Sequence, residues 1–521
     1  MKVAEQISDL LSSAGVRTVF GNPGTTELPF LEGLRIPYYL TLHDAISVGA
    51  ADGQAQVRRS VAVANLHAAP GLGNSIAFID SARRNRSPVL VTVGQQDLRH
   101  LDQRPLLSGD FESMVRGLVK FFGEVHQPSE VTGILDTAMR QAMQPPMGPV
   151  LVSLPMNVME LSTSPGEVTR PSSEPGPAGS LDVVEGRIRS ASDPVLVVGY
   201  EVDLYRVHDR VEALAKRLGA PIYAEPICSR APISADSPAF VGDLLPQSAI
   251  LQATLGLHDL VILVGADLTL YPYSAARLLR GDRVVYLGAD PSVPEKLDCP
   301  SATGDLDRLL DTLLANLPAS GRTFSRPVDL SRANRVARAA GRMGPDFVID
   351  AVHRLYSDHT IVDESVSLIP TVKSFGFYRG ADSYFSSRSQ QLGWGLAASI
   401  GIALERPKTA VVIGDGALEY SVQALWTLAR YRLPVKVIVV NNGGYSILKS
   451  YAKANHPSVV DAEFLDLPGL DVERIARAYG MPATTVEAPA ALDRALIEAR
   501  EADGPSLVNV VMDRTVPDLF S

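Results

Sequence analysis

The sequence predicts an α/β protein of three doubly wound parallel-sheet domains, and three observations carry that prediction. The 521 residues exceed what a single hydrophobic core organises, so about three domains are expected. Short apolar, β-branched runs recur with helix-length stretches between them, the rhythm of βαβ units and parallel sheets. Two breaker-rich stretches, TSPGEVTRPSSEPGPAGS at 163–180 and another at 317–327, read as linkers. The domains are accordingly expected at 1–165, 181–318 and 338–521.

The opening MKVAEQISDLLSSAG reads as an amphipathic helix, with acidic residues where a secretory leader would be basic and then apolar. Strands are expected at 17–20, 38–42, 61–65, 89–93 and 150–153. The first three deliver the loops GNPGTTELPF, HDAISVGAADG and LHAAPGLGN. The second unit has expected strands at 195–198, 221–224, 260–264 and 284–287. There Gly199-Tyr200-Glu201 lacks the further glycines of a dinucleotide fingerprint, so the unit reads as structural and not nucleotide-binding. No GxxxxGK[ST] loop occurs, which disfavours an NTP-binding protein.

The composition, 46% hydrophobic and 20% charged, is that of a globular enzyme. A formal net charge of −10 argues against a nucleic-acid surface. Two cysteines, Cys228 and Cys299, cannot form a disulfide framework, which fits a reducing cytoplasm. No apolar stretch reaches the roughly 20 residues of a membrane span.

The chemistry centres on residues 409–448, TAVVIGDGALEYSVQALWTLARYRLPVKVIVVNNGGYSIL. Apolar strands at 410–413 and 435–440 flank a helix with Val422, Leu425, Trp426 and Ala429 at helical spacing. Both strands of such a unit end on one side of the sheet, so Asp415 and Asn442 meet there. A carboxylate, an amide oxygen and a backbone carbonyl near Gly444 are hard donors suited to Mg²⁺, with coordination left for phosphate. Gly416 admits close backbone approach, and the helix start behind it favours negative charge. The stretch reads as a site for a metal-bound diphosphate.

Together with its spacing, this unit resembles the metal and diphosphate motif of thiamine diphosphate enzymes, and the resemblance runs along the whole chain in the order pyrimidine-binding, central and diphosphate-binding domain. Within that superfamily the sequence is most similar to the benzoylformate decarboxylase branch. The similarity is carried by GNPGTTELPFL at 21–31, NLHAAPGLGN at 65–74, SPVLVTVGQQ at 87–96, ESVS at 364–367, QQLGWGLAASIG at 390–401 and IGDGALEYSVQALW at 413–426.

The resemblance implies thiamine diphosphate and Mg²⁺ (or Ca²⁺) as cofactors. It implies that Asp415, Asn442 and the Gly444 carbonyl hold the metal. Ser367, Gly416, Ala417 and Tyr445 would surround the diphosphate, with Ala417 in a position where the family can use serine. Leu392 would prop the cofactor, backbone near Gln390 would meet the aminopyrimidine, and Gly24 and Ile447 would complete the cofactor site. On the bare sequence Leu392 reads as an ordinary core leucine, and only its position in the motif assigns it to the cofactor.

The family's pyrimidine-activating glutamate corresponds to Asp44, one methylene shorter; the alternative use of this aspartate is as a helix N-cap. Thr25 matches a serine that touches the substrate carboxylate. His67 matches a proton-handling histidine, although a lone histidine after a buried strand is also an ordinary loop residue. The second histidine of the branch falls near Pro272, where none is present. His43, adjacent to Asp44, is expected to face the other way. Ile447, Leu448 and Tyr451 are expected to line an apolar acyl pocket.

The implied reaction is non-oxidative decarboxylation of a 2-oxo acid to an aldehyde. One alternative is a carboligase or lyase making or cleaving 2-hydroxyketones with an aldehyde acceptor; another is a cofactor-binding protein with weak or lost catalysis. The resemblance also implies a homodimer or homotetramer with sites shared between subunits.

Overall fold

The computed structural model describes residues 1–172, 178–271, 279, 281–324 and 342–520. Three sheets order the chain, as the repeated βα pattern predicts. The first contains β1 (Val19–Gly21), β2 (Tyr38–Leu40), β3 (Ala62–Leu66), β4 (Val89–Gln95), β5 (Phe122–Glu124) and β6 (Val150–Pro155). Its order is β2-β1-β3-β4-β6-β5 and every pair is parallel.

The second sheet holds β7 (Ala178–Gly179), β8 (Pro194–Val198), β9 (Ile222–Ala224), β10 (Phe240–Asp243), β11 (Leu260–Val264), β12 (Val284–Gly288) and β13 (Ser301–Thr303), in the order β10-β9-β8-β11-β12-β13-β7. The third holds β14 (Thr360–Glu364), β15 (Tyr384–Phe385), β16 (Thr409–Gly414), β17 (Val435–Asn441), β18 (Ala483–Val486) and β19 (Ser506–Val511), in the all-parallel order β15-β14-β16-β17-β19-β18.

Two details differ from expectation. The end of the 163–180 stretch is not all linker: β7 pairs antiparallel with β13 and closes the edge of the central sheet. The single helix expected between β16 and β17 is divided into a one-turn helix, Asp415–Leu418, and a second, Ala424–Arg430. Between them the Ser421 hydroxyl donates to the Gly393 carbonyl at 2.7 Å, so side-chain bonding to a neighbouring loop interrupts the helical ladder.

The first and third domains share a core. The helix Asp44–Arg58 is buried through Val57 and packs on the helix Trp394–Glu405. Small residues allow the contact: a Cβ on Gly53 would stand 2.2 Å from the Ala398 carbonyl oxygen, and one on Gly401 would stand 1.9 Å from that of Ala50. Asp52, wholly buried, accepts from Trp394 Nε1 at 2.7 Å and from Asn85 at 2.8 Å, with Gln56 and Ser87 completing its partners. A second joint gathers arginines from all three domains: Asp382 pairs with Arg59 at 2.8 Å, with Arg230 at 3.2 Å and with Arg406, while Asp203 pairs with Arg230 at 2.5 Å.

The central sheet reverses its strand order between β8 and β11, the place where open α/β sheets bind ligands. Here protein carboxylates fill that crevice. Glu201 accepts from the Ala289 N–H at 2.7 Å and from the hydroxyls of Tyr200 and Tyr286. Glu225 accepts from the N–H groups of Tyr200, at 3.1 Å, and Asp267, at 2.7 Å. The loop N–H groups that would cradle a phosphate are thus satisfied from within, in keeping with a structural domain.

Burial pushes the Glu201 carboxyl up from 4.5 to about 7. The folded state then binds a proton that the unfolded chain has released, so stability present at lower pH is lost as pH rises through this window. The effect corresponds to roughly 3 kcal/mol. Melting temperatures from pH 5 to pH 8 are expected to fall for the native protein and to fall less for Glu201→Gln; identical slopes would refute this.

Candidate active site

The third domain supplies one group of site residues. Strand β16 ends at Gly414, and Asp415 opens the one-turn helix that follows. Its Oδ2 accepts from the Gly443 N–H at 3.0 Å. Burial pushes this carboxyl up, and the N–H groups of Gly416, Gly443 and Gly444 pull against that shift.

Strand β17 delivers two asparagines with different roles. Asn441 is consumed structurally, its amide donating to Asn509 at 3.1 Å and its oxygen accepting from the Gly443 N–H. The Asn442 Oδ1 is buried and makes no hydrogen bond. A buried acceptor without a donor is costly unless something else satisfies it. Beside it, the backbone turns through Gly443 at φ +70° and presents the Gly444 carbonyl, which takes the Ser446 N–H at 3.2 Å and keeps a second lone pair. An orphaned amide oxygen, a buried carboxylate and a carbonyl fit a hard divalent cation. Among the described residues no cluster of three or more His, Cys, Asp or Glu competes as a metal site.

The residues expected around the diphosphate lie near this loop. A Cβ on Gly416 would lie 2.9 Å from the Tyr445 ring, so only glycine lets the two approach. Ala417 is buried beside them, and Ser367 is buried in the turn Val366–Leu368, which packs on the helix Ser446–Asn455. Val366 holds φ +53°, a strained conformation for a β-branched residue.

Leu392 is half-buried, and its position is braced from both sides. The next residue, Gly393, at φ +85°, receives the Ser421 hydroxyl on its carbonyl, and its own N–H donates to Glu364. Glu364 also accepts from the Gly395 N–H at 2.6 Å, and burial pushes its carboxyl up to about 8. Gln390 is exposed in the left-handed region, at φ +56°, and its amide donates to the Ser387 carbonyl. Ile447 and Tyr451 are half-buried and Leu448 is 49% exposed on the Ser446–Asn455 helix. The Tyr451 ring meets Phe520 at 5.3 Å, and Phe520 meets Tyr271 of the second domain at 6.0 Å.

The first domain supplies the other group, on the adjacent ends of β1, β2 and β3. Asp44 is not the helix N-cap: His43 takes that place, its Nδ1 accepting from the Ala45 N–H at 3.2 Å. The Asp44 carboxylate instead turns to the neighbouring loops, accepting from the His67 N–H at 3.0 Å and from the Asn22 amide at 3.2 Å.

Thr25 is exposed, and the hydroxyl that reaches the His67 ring belongs to Thr26, with Oγ1 3.2 Å from Nδ1. Gly24 is required by the same ring, since a Cβ there would lie 2.2 Å from it. Sequence reading missed Glu27, whose Oε2 is 2.8 Å from His67 Nδ1. The available signal was the spacing from Gly24 to Glu27, in which the glutamate reaches back to the Gly24 N–H at 2.8 Å, as in a capping box. Pro272, at the expected position of a second histidine, lies outside the described residues.

The third-domain group thus brings Asp415, Asn442 and the Gly444 carbonyl together at one set of strand ends, and the first-domain group brings Asp44 and His67 together at another. Models of the thiamine pyrophosphate (thiamine diphosphate) enzyme N-terminal, central and C-terminal domains match residues 1–115, 181–310 and 370–510. The chain belongs to the thiamine pyrophosphate enzyme family and is an enzyme of its carboxy-lyase or carboligase kind.

Among its relatives, benzoylformate decarboxylase of Pseudomonas aeruginosa is 33% identical over 98% of this chain and 99% of that protein. A putative acetolactate synthase large subunit of Mycobacterium tuberculosis is 25% identical over 99% and 100%. The crystal structure of benzoylformate decarboxylase from Polynucleobacter necessarius superposes with a TM-score of 0.90 at 30% identity, covering 99% of this chain and 100% of that one.

Proposed function

We propose that this chain decarboxylates a 2-oxo acid non-oxidatively to an aldehyde, with thiamine diphosphate and Mg²⁺ as cofactors. The observation that carries this reading is the meeting of Asp44 and His67 at neighbouring strand ends of the first sheet, where the His67 main-chain N–H donates to the Asp44 carboxylate at 3.0 Å. When bound, thiamine diphosphate supplies a nucleophilic carbon and the electron sink that loss of CO₂ requires.

The chain's own residues do the rest. Asp415, Asn442 and the Gly444 carbonyl hold the cation, and Ser367, Gly416, Ala417 and Tyr445 surround the diphosphate. Leu392, Ile447, Gly24 and backbone at Gln390 shape the cofactor's seat. Asp44 hydrogen-bonds the pyrimidine ring and holds the proton there. His67 presents Nε2 to the substrate and moves a proton on and off the reacting oxygen or carbon. Thr25 orients the substrate carboxylate. Ile447, Leu448 and Tyr451 favour an apolar aliphatic or aryl side chain. Cys228 and Cys299 are unpaired, which supports a reducing cytoplasm, and no helix of the described residues is long and apolar enough to cross a membrane.

We infer a homodimer or homotetramer with shared sites, as the resemblance to the thiamine diphosphate enzymes implies, in which a second copy would complete the wall of each site. A monomer whose specific activity survives dilution would refute this.

A carboligase reading is favoured by the acetolactate synthase relative, which matches along nearly the whole chain. Incubation with cofactors and a panel of 2-oxo acids, with and without aldehydes, separates the readings by mass spectrometry. Free aldehyde alone is the expected product. Hydroxyketone as the main product would favour the carboligase, and tight cofactor binding with no turnover would return the binding-protein alternative.

A further inference from the structure

We propose that Glu27 is a positioning residue that fixes the tautomer and orientation of the His67 ring. The inference rests on reading His67 as the proton-handling group.

The Glu27 side chain has no solvent exposure, and its one ion-pair partner within 4.0 Å among the described residues is His67. A buried carboxylate needs donors. Oε2 accepts from the Gly24 N–H at 2.8 Å and faces His67 Nδ1 at 2.8 Å; Oε1 accepts from the Thr26 hydroxyl at 2.7 Å. The Thr26 proton is therefore committed to Glu27, and toward His67 the Thr26 oxygen presents only lone pairs. Both groups around Nδ1 are acceptors, so Nδ1 carries the proton and Nε2 is left as the free nitrogen. Nε2 makes no hydrogen bond among the described residues.

Two glycines hold this pair in place. A Cβ on Gly24 would lie 2.2 Å from the His67 ring, and a Cβ on Gly94 would lie 1.9 Å from Glu27 Oε1. The ring and the carboxylate thus pack directly against bare backbone. The His67 N–H is meanwhile tied to Asp44. Neutral His67 therefore offers a lone pair on Nε2, and once it takes a proton its imidazolium faces an anion that stabilises it. This is the division of labour of a carboxylate-oriented catalytic histidine, reached here with Glu27.

The test uses the full-length protein. In Glu27→Gln the amide can donate to Nδ1 and place the proton on Nε2. The expected result is a fall in kcat of about a hundredfold or more, with KM and the thiamine diphosphate dissociation constant, read by tryptophan fluorescence, little changed. Glu27→Asp should recover part of the loss. In cofactor-free protein, acylation of His67 by diethyl pyrocarbonate, followed by peptide mass spectrometry, should slow in Glu27→Gln. In a His67→Ala background, adding Glu27→Gln should cost nothing more.

Unchanged kcat and labelling in Glu27→Gln, or a full additive loss in the double variant, would overturn the proposal while leaving the decarboxylase reading intact. Native kcat in His67→Ala would overturn both the proton-handling role and this inference. Should Glu27→Gln fail to fold, the ¹⁵N chemical shifts of native protein labelled at histidine decide the point: His67 is expected to carry its proton on Nδ1, and a proton on Nε2 of the neutral ring would overturn the proposal.

Discussion

Asp415→Ala is expected to lose roughly a thousandfold or more in turnover and to lose the stabilisation that cofactors confer, yet to fold. The cation would contribute several kcal/mol of charge stabilisation, and about 4 kcal/mol is a thousandfold in rate. Without a metal the same carboxylate is a burden. Burial pushes its pKa up, so the folded state disfavours the charged form, and the stability it retains at low pH is lost as pH rises. With saturating thiamine diphosphate and Mg²⁺ the native melting temperature should rise and that of the variant should not. Thermal melts with and without cofactors decide the point: an equal cofactor-induced rise in both proteins would refute the assignment of Asp415 to the metal.

Asp44 carries the second large effect. Asp44→Asn keeps the shape but removes the acid, and a loss of at least about a hundredfold in kcat is expected. Asp44→Glu is the more informative change. The present carboxylate sits between the His67 N–H and the Asn22 amide, and a Cβ on Gly71 would lie only 2.4 Å from its Oδ1. A longer side chain must leave this cradle and shift the carboxylate by about 1.5 Å, and a displacement of that size costs on the order of a hundredfold. Asp44→Glu is thus expected to be slower than the native enzyme. Steady-state kinetics on an accepted 2-oxo acid checks it, and faster turnover would mean that the native site is the impaired one.

The placement of the third domain's proposed cofactor residues was legible in the sequence. Asp415, Asn442 and Gly444 fall on the ends of two apolar strands joined by one crossover, and a crossover between parallel strands puts both carboxyl ends on the same side. The strands of the first and second domains were legible for the same reason, because buried parallel strands are nearly continuous apolar runs. Of the strands left unread, β5, β7, β10, β13, β15 and β18 are short and lie at or toward the sheet edges, where partial exposure or brief length erases that signal, whereas β14 and β19 are longer interior strands that the sequence reading did not place.

Other features depended on contacts between residues far apart in the chain. Periodicity cannot tell whether Asp44 caps its helix or faces the neighbouring loops; the answer came from His43 taking the cap and from His67 and Asn22 donating to the carboxylate. Thr25 and Thr26 are equivalent as letters, and the pitch of the turn Thr25–Glu27 selects which hydroxyl meets His67. Glu27 carried only the faint mark of a capping box, since its role requires β1 and β3 to lie side by side.

The sequence by itself therefore determined the fold class and the family, and set the proposed anchoring residues Asp415, Asn442 and Gly444 on neighbouring strand ends, since these follow from local periodicity and from residue types at short, fixed spacings. Tertiary structure alone decided how the reacting end is wired. It tied Asp44 to His67, placed Glu27 behind the imidazole, left Asn442 without a protein partner, and filled the central crevice with Glu201 and Glu225. Hydrogen-bond partnership in a buried site is settled by where strands from different parts of the chain come to rest, and no local pattern in a sequence encodes that distance.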